Sequence, residues 1–234
     1  MTPRRGHPGL CSICGPTRFL VKGPWLRDEY VCSRCGSIPR MRALVGVLKK
    51  HFPIWRTLEI LEVAPDGPAS AFIAREAATY TAAQYFEDVA SGEYVDGVRR
   101  EDLQRLSYPD ASLDLIITQD VFEHVLRPDD AWSEIARVLR PGGCHLWTVP
   151  IFEGKQTLVR VAPGPDDSAE LLMPADYHGN PLGGGSLVIH EWGDEVIARA
   201  DAASGMVTTR FASTSTLRGL HGEMLDVLLS RKPE

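Results

Sequence analysis

The sequence lacks several features, and each absence excludes a class of protein. No apolar run approaches the roughly 20 residues that a membrane-spanning helix requires. The N-terminal segment Met1–Gly6 lacks the apolar core of a secretory signal peptide, so we expect a cytoplasmic protein with no membrane partner. The turn at residues 64–68 lacks the glycines of a dinucleotide-binding loop, which argues against a NAD-type site.

The amino-acid composition is typical of a soluble globular protein. The 234 residues are 44% hydrophobic and 24% charged, which fits one main domain with a small addition. The net charge of −6 is unevenly distributed. Residues 1–50 carry ten Lys/Arg against two acids, a formal +8, while the remainder carries fifteen against 29, a formal −14. This basic segment is either a solvated face packed against an acidic body or a contact for RNA or another anion. No aromatic-interleaved stripe accompanies it.

Four of the five cysteines form two pairs near the N-terminus. Cys11, Cys14, Cys32 and Cys35 have the spacing C-x2-C-x17-C-x2-C, which is typical of a four-thiolate zinc site. With four cysteine ligands and no open position, the site would be structural. Disulfides and a redox pair are the alternatives. We therefore predict a zinc-ribbon module at residues 1–38 and expect Cys144 to be a small buried core residue.

Beyond the module, helical and extended patterns alternate, which favours a parallel sheet covered by helices. A linking helix is expected within residues 39–55, and an α/β domain within 56–234. Five strands are predicted at 58–63, 79–85, 94–99, 113–118 and 144–149, and two closing strands at 206–211 and 223–230. Helices are predicted at 69–78, 129–139 (capped by Asp129 or Asp130 and stopped by Arg140–Gly143) and 191–200.

Several segments in order resemble one family. These are Leu106–Thr118, the run Val121-Phe-Glu-His-Val125, the run Ala136–Gly143, and a strand that ends in Thr148-Val-Pro150. Together they resemble class I S-adenosylmethionine-dependent methyltransferases, in the small-molecule branch that includes ubiquinone-pathway enzymes. The resemblance implies a Rossmann-like, seven-stranded sheet with an antiparallel last strand. A subgroup with an Ala-Pro turn often carries a Cys-x2-Cys zinc module in front, as here.

The resemblance also implies where S-adenosylmethionine binds. Glu62 ends the first strand, and the turn Ala64-Pro65 replaces the family's glycine loop. The ribose would be held by Gln84 or Glu87, between which the sequence does not decide. The remaining positions flank the adenine or the crevice at the end of the fourth strand: Asp102, Leu103, Gln119 and Asp120. Asp102 has a helix N-cap as its alternative role.

Residues 151–190 match no regular element and are predicted to form a lid over the acceptor site. The run Tyr177-His-Gly-Asn-Pro181 supplies polar groups for an acceptor pocket. His178 is the first candidate for a general base, with His124 and His190 as alternatives and Tyr177 beside it. Arg160 or Lys155 would orient an anionic acceptor, or would be solvated charges.

The leading functional hypothesis is O-methylation of a small molecule, such as a sugar or a secondary metabolite. The first alternative is an RNA methyltransferase with a zinc ribbon, which the basic N-terminal segment favours. The second is a non-catalytic cofactor-binding or scaffold protein, which the missing glycines favour. The partners expected are therefore a small-molecule acceptor or RNA, with zinc and S-adenosylmethionine as the bound groups.

Overall fold

The computed structural model describes residues 6–164, 168–179 and 183–234. An N-terminal module holds a three-stranded antiparallel sheet in the order β1-β2-β3. Its small core is formed by Phe19, Tyr30, Cys11 and Cys32. The elements are β1 (His7–Cys11), β2 (Gly15–Val21), the single-turn helix α1 (Leu26–Glu29) and β3 (Tyr30–Cys32).

Helix α2 (Pro39–His51) follows the module and is more than a linker. Pro39 opens the helix, where its missing N–H would have no partner anyway, and three basic residues complement the dipole at its end. Leu44, Val45 and Leu48 are fully buried in a core shared with the large sheet. The helix therefore packs as part of the α/β body.

The body is an eight-stranded, mostly parallel sheet in the order β16-β17-β9-β8-β4-β5-β7-β6. Strand β17 runs antiparallel to both of its neighbours, as the resemblance implied for the last strand. The elements of the first half are β4 (Glu59–Val63), α3 (Gly67–Glu76), β5 (Thr79–Gln84), β6 (Tyr94–Val95), β7 (Val98–Arg100), β8 (Leu113–Gln119), α4 (Pro128–Val138) and β9 (Leu139–Thr148). The last three are α5 (Val196–Ser204), β16 (Val207–Phe211) and β17 (Val227–Arg231).

The strand count differs from the expected seven because one predicted strand is a hairpin. Residues 94–99 were expected to form a single strand, but β6 and β7 pair antiparallel across Asp96-Gly97. Both turn residues have positive φ, 49° and 81°, as a type I′ turn requires. An Asp-Gly pair is a hairpin signal, and here it overrides the extended propensity of its neighbours.

Three further boundaries differ from expectation. Helix α4 begins at Pro128 with Arg127 as its N-cap, so Asp129 and Asp130 lie in the first turn, where they complement the helix dipole. The segment Arg140–Gly143, which was expected to stop the helix, lies within β9, because α4 ends at Val138 and β9 starts directly at Leu139. The late helix starts at Val196 because residues 190–191 pair as a strand with Leu158–Val159.

The segment 151–190, predicted to form a lid, contains more regular structure than the sequence predicts. Three short antiparallel ribbons pair β10 with β15, β11 with β12, and β13 with β14. The predicted lid residues Pro165, Asn180 and Pro181 lie outside the described residues. The bounds are β10 (Leu158–Val159), β11 (Val161–Pro163), β12 (Ala169–Leu171), β13 (Tyr177–Gly179), β14 (Gly185–Leu187) and β15 (His190–Glu191). Among the described residues, no helix is long and apolar enough to cross a membrane.

Candidate functional site

The strand order identifies the ligand crevice. From β4 the chain continues on one side to β5, and it later returns to β8 on the other side. In open parallel sheets, ligands bind at the carboxyl ends of strands where the order reverses in this way. The segments that leave β4 at Ala64 and β8 at Asp120 therefore border the crevice.

Glu62 lies at the end of β4 and is completely buried. Its carboxylate accepts hydrogen bonds from Ser70 (2.7 Å), Tyr80 (2.8 Å) and the side-chain amide of Gln119 (2.9 Å). Burial raises the pKa of Glu62, while these three hydrogen bonds act in the opposite direction. Two of the predicted cofactor residues, Glu62 and Gln119, are thus brought together and joined to α3 and β5.

The turn after β4 keeps a glycine-like shape without the family's glycines. Ala64 has φ 53°, in the left-handed region, and its N–H donates to the carbonyl of Ala83 at 2.8 Å. Gly67 also has positive φ, and α3 begins there. Alanine pays roughly 1 kcal/mol for such a conformation, and its small side chain still permits close approach of a ligand.

The other predicted cofactor residues lie at the carboxyl ends of β5 and just after β7. Gln84 ends β5 and is partly buried, whereas Glu87 is exposed. The carboxylate of Asp102 accepts from the backbone N–H of Gln104 at 2.9 Å. It caps a turn, since no helix begins there. Leu103 is buried in the core.

Asp120 occupies the exit of β8, with φ 52°. Its carboxylate accepts a hydrogen bond from Thr148 at 2.9 Å and forms ion pairs with Arg27 (2.7 Å) and Arg40 (3.0 Å). Burial alone would raise its pKa, but the two guanidinium groups outweigh burial and hold the pKa of Asp120 below its usual value. The prediction of a cofactor-binding side chain here stays a prediction, and its carboxylate is already engaged by protein groups.

Glu123 lies three residues further on, in a 3₁₀ turn formed by Phe122–His124. Its side chain is buried, and neither carboxylate oxygen has a hydrogen-bond partner in the described part of the chain. Burial, followed by the charge of Asp120, raises the pKa of Glu123 to about 8. A carboxyl group with a pKa near neutrality is suited to proton transfer.

Two histidines border Glu123. The ring of His124 stands perpendicular to that of His178, with 5.4 Å between ring centroids. His124 Nδ1 lies 2.8 Å from the carbonyl of Leu187, so Nδ1 carries the proton and Nε2 is the free nitrogen of the neutral ring. Burial lowers the pKa of His124, which favours this neutral form.

These three side chains form a compact group on the lid side of the crevice. One ligand atom each from Glu123, His124 and His178 lies within 4.8 Å of the others. Such a group can move a proton or hold a divalent cation.

The other predicted acceptor-site residues lie outside this group. Tyr177, the third predicted catalytic residue, is 61% exposed on the lid strand β13. His190 is buried beside Trp192, which makes it a poor candidate for contact with an acceptor. Arg160 is paired with Glu191 at 2.5 Å.

The four N-terminal cysteines converge as their spacing predicts. Their sulfurs all lie within 4.8 Å of one another, with 3.8 Å between Cys11 and Cys35 and 3.6 Å between Cys14 and Cys32. A tetrahedral zinc ion with Zn–S bonds of about 2.3 Å requires sulfurs about 3.8 Å apart. The donor set therefore fits zinc. Cys144 is buried on β9, as expected of a core residue.

Sequence reasoning missed two residues of this region, Arg27 and Arg40. Arg27 belongs to α1 of the module and Arg40 to the first turn of α2, yet both reach Asp120 in the body. The uneven charge of the two parts of the chain was the available signal, since a basic segment packed against an acidic body was one of its interpretations. The uneven charge could not predict which residues pair, because Arg27 and Asp120 are 93 positions apart in the sequence.

Comparison with known proteins agrees with this geometry. Residues 65–146 match a family model described as a methyltransferase domain. No curated protein sequence matches the chain. An S-adenosylmethionine-dependent methyltransferase from Mesorhizobium loti has a similar structure, with 15% identity, coverage of 81% of this chain and 98% of that chain, and a TM-score of 0.52.

Two further structures are similar. One is a 1,6-didemethyltoxoflavin-N1-methyltransferase from Burkholderia thailandensis with bound 1,6-didemethyltoxoflavin and S-adenosylhomocysteine (18% identity, 83% and 79% coverage of this and that chain, TM-score 0.51). The other is a Haloferax volcanii complex of the Trm112 methyltransferase activator with a methyltransferase (12% identity, 83% and 90% coverage, TM-score 0.51). These structures show the fold, and with the matched domain they support a class I methyltransferase enzyme that uses S-adenosylmethionine.

Proposed function

We propose that this protein transfers the methyl group of S-adenosylmethionine to a hydroxyl of a small molecule, in the class of sugars and secondary metabolites. The observation that carries the proposal is the group formed by Glu123 and His124, after the exit of β8, with His178 of the lid strand β13. Methylation of a hydroxyl releases a proton, and this group offers acceptors for it next to the crevice.

The residues at the carboxyl ends of β4, β5 and β8 would hold the cofactor. The turn at Ala64-Pro65 faces its methionine end, Gln84 or Glu87 its ribose, and Asp102 and Leu103 its adenine. Glu62 and Gln119 act from beneath as a hydrogen-bonded pair that fixes the turn and the strand exit. S-adenosylmethionine supplies an electrophilic methyl group on a sulfonium.

The chain's own contribution is alignment and proton removal. With S-adenosylmethionine bound, the acceptor oxygen would form a bond to the methyl carbon as the carbon–sulfur bond breaks, and S-adenosylhomocysteine would be released. His178 takes the hydroxyl proton, and its position at the exposed face of the lid ribbon allows it to reach a bound acceptor. His124, with its free Nε2, lies beside it and offers a second acceptor for the proton.

We also propose that the four thiolates hold a structural zinc ion. The sulfur separations match a tetrahedral site, and all four cysteines are free of disulfides. The module has only a few buried side chains of its own, so metal binding would supply much of its folding free energy.

RNA methylation is the second candidate function, and the basic N-terminal segment is the observation in its favour. Several of those basic groups are used inside the protein, which weakens this reading. Arg42 is buried and donates to the carbonyls of Tyr30 (2.8 Å) and Gly219 (2.6 Å), and Arg27 and Arg40 bind Asp120. The remaining basic surface is correspondingly smaller.

Two measurements test the proposal. Calorimetry of the zinc-loaded chain with S-adenosylhomocysteine should show one site per chain, and absence of binding would contradict both enzymatic readings. Transfer of labelled methyl from S-adenosylmethionine should then be compared between a panel of hydroxylated small molecules and total RNA. Label in RNA that falls steeply as salt rises would favour the second candidate.

A further inference from the structure

The N-terminal module and helix α2 each place one guanidinium group at the edge of the crevice. Arg27 of α1 is 7% exposed and binds Asp120 through Nη2 at 2.7 Å. Arg40 of α2 binds the same carboxylate oxygen through Nε at 3.0 Å. Both arginines also contact Asp28, so the cluster is electrically balanced. A zinc ribbon that served only as an appendage would not require buried ion pairs to the exit of a central strand.

The contact between module and body is close as well as charged. Arg27 Nε lies 3.3 Å from the carbonyl of Met224, in the segment that leads into β17. Gly222 in the same segment has φ 135°, and a Cβ built on it would lie 2.8 Å from the backbone nitrogen of Arg27. Only glycine permits α1 to approach this far. The position of Arg27 is therefore fixed by backbone packing on one side and by Asp120 on the other.

We propose that Arg27 and Arg40 are positioning residues of the methyl-transfer site, which hold Asp120 at the exit of β8 and balance the charge beside Glu123. The inference rests on the proposed function, since it concerns the proton-transfer group of that reaction. The four-cysteine module is then part of the site, because it carries Arg27. It also leads directly into the first turn of α2, which carries Arg40.

The charges near Glu123 act on its pKa in opposite directions. Asp120 raises the pKa of Glu123, after burial, whereas Arg27 and Arg40 lower it. Without the arginines, the negative charge of Asp120 would not be balanced, and the pKa of Glu123 would rise further. The titratable and charged groups that act on Glu123 are Arg27 from the module, Arg40 from α2, Asp120 and His124 from the same segment, and His178 from the lid.

The proposal is tested by removing each partner of the Arg27–Asp120 ion pair in turn and measuring the pKa of Glu123. Arg27→Gln and Asp120→Asn break the same contact, so a purely structural role predicts the same response to both. Our inference predicts that the pKa of Glu123 rises in Arg27→Gln and falls in Asp120→Asn, each by about half a pH unit or more. Arg40→Gln should behave like Arg27→Gln. Arg75→Gln, which removes an exposed arginine paired with Glu76, should leave the titration unchanged.

The titration is measured on the full zinc-loaded chain by NMR of ¹³C-labelled glutamate carboxyl groups, with the Glu123 signal assigned by its loss in Glu123→Gln. Shifts in the same direction for Arg27→Gln and Asp120→Asn, or no shift in either, would overturn the inference. The pH at which turnover is half-maximal should move with the titration. A chain that shows the opposite shifts but transfers no methyl group would contradict the proposed function and leave the coupling standing.

Discussion

Asp120 and Glu123 leave the same strand three residues apart, and their surroundings are opposite. Asp120 faces the N-terminal module and accepts from two arginines, which keep its pKa low. Glu123 faces the lid, has no hydrogen-bond partner in the described residues, and has a pKa raised to about 8. Burial acts to raise the pKa of both carboxyl groups. Pairing, rather than burial, therefore decides which carboxylate is a fixed charge and which can exchange a proton.

The contrast divides the crevice into two functional sides. On the module side, Asp120 is held as a fixed charge by its ion pairs. Removing one partner of a buried ion pair lowers the free energy of unfolding by several kcal/mol. The lid side holds His124, whose pKa is lowered by burial, and Glu123, whose pKa is raised to about 8.

Loss of a cysteine ligand should have the largest effect, because it removes the support of the whole module side. We expect Cys32→Ser to lose the metal, unfold residues 6–38 and release Arg27 from Asp120, with at least a 10²-fold loss of turnover. Metal analysis and hydrogen exchange of the module measure this. Cys144→Ser is the matched control, since that buried cysteine lies on β9 and should leave one metal per chain. Full metal content in Cys32→Ser would contradict the four-thiolate site.

Asp120→Ala attacks the paired side directly. It leaves Arg27 and Arg40 without their shared acceptor, and we expect the free energy of unfolding to fall by about 3–5 kcal/mol at pH 7. Because the pKa of Asp120 lies below its unfolded value, this stabilisation is present above the ordinary aspartate pKa and is lost as pH falls through the folded one. The difference between Asp120→Ala and the parent should therefore shrink on acidification. A constant difference from pH 7 to pH 2 would contradict the ion-pair account.

Glu123→Gln should act in the opposite sense on the unpaired side. The folded pKa of Glu123 lies above its unfolded value, so the parent loses stability as pH rises from about 4.3 to about 8. An amide carries no charge, and we expect Glu123→Gln to be more stable than the parent by roughly 5 kcal/mol at pH 9 and equal to it near pH 4. Denaturant unfolding at both pH values measures the difference. Glu170→Gln, at an exposed lid position, should show no such dependence.

The sequence predicts the local elements around the crevice much better than the electrostatic environments of its side chains. The strand, turn and helix from Glu59 to Glu76 follow from local periodicity and turn residues, and the cysteine cluster follows from its spacing. The Asp96-Gly97 hairpin was missed although its signal is local, because the extended propensity of residues 94–99 was given more weight.

The electrostatic environments could not be predicted in the same way. His124 and His178 are 54 positions apart, and no periodic pattern connects a lid ribbon to a strand exit. The contact of Asp120 with Arg27 depends on where a separate module docks, which in turn depends on the backbone approach at Gly222. Such contacts are set by the tertiary fold, so sequence reasoning reaches the residue types but not their partners.

His178→Ala should have the smallest effect on the protein and a selective effect on the reaction. His178 is exposed on β13, so its removal should change the free energy of unfolding by less than about 0.5 kcal/mol. If it accepts the hydroxyl proton, turnover should fall by about 10²-fold while affinity for S-adenosylhomocysteine stays within about twofold. Glu170→Ala, on a neighbouring lid strand, should leave both unchanged. Equal losses of turnover and cofactor affinity in His178→Ala would place this side chain among the cofactor contacts, and the lid side of the crevice would then need a different base.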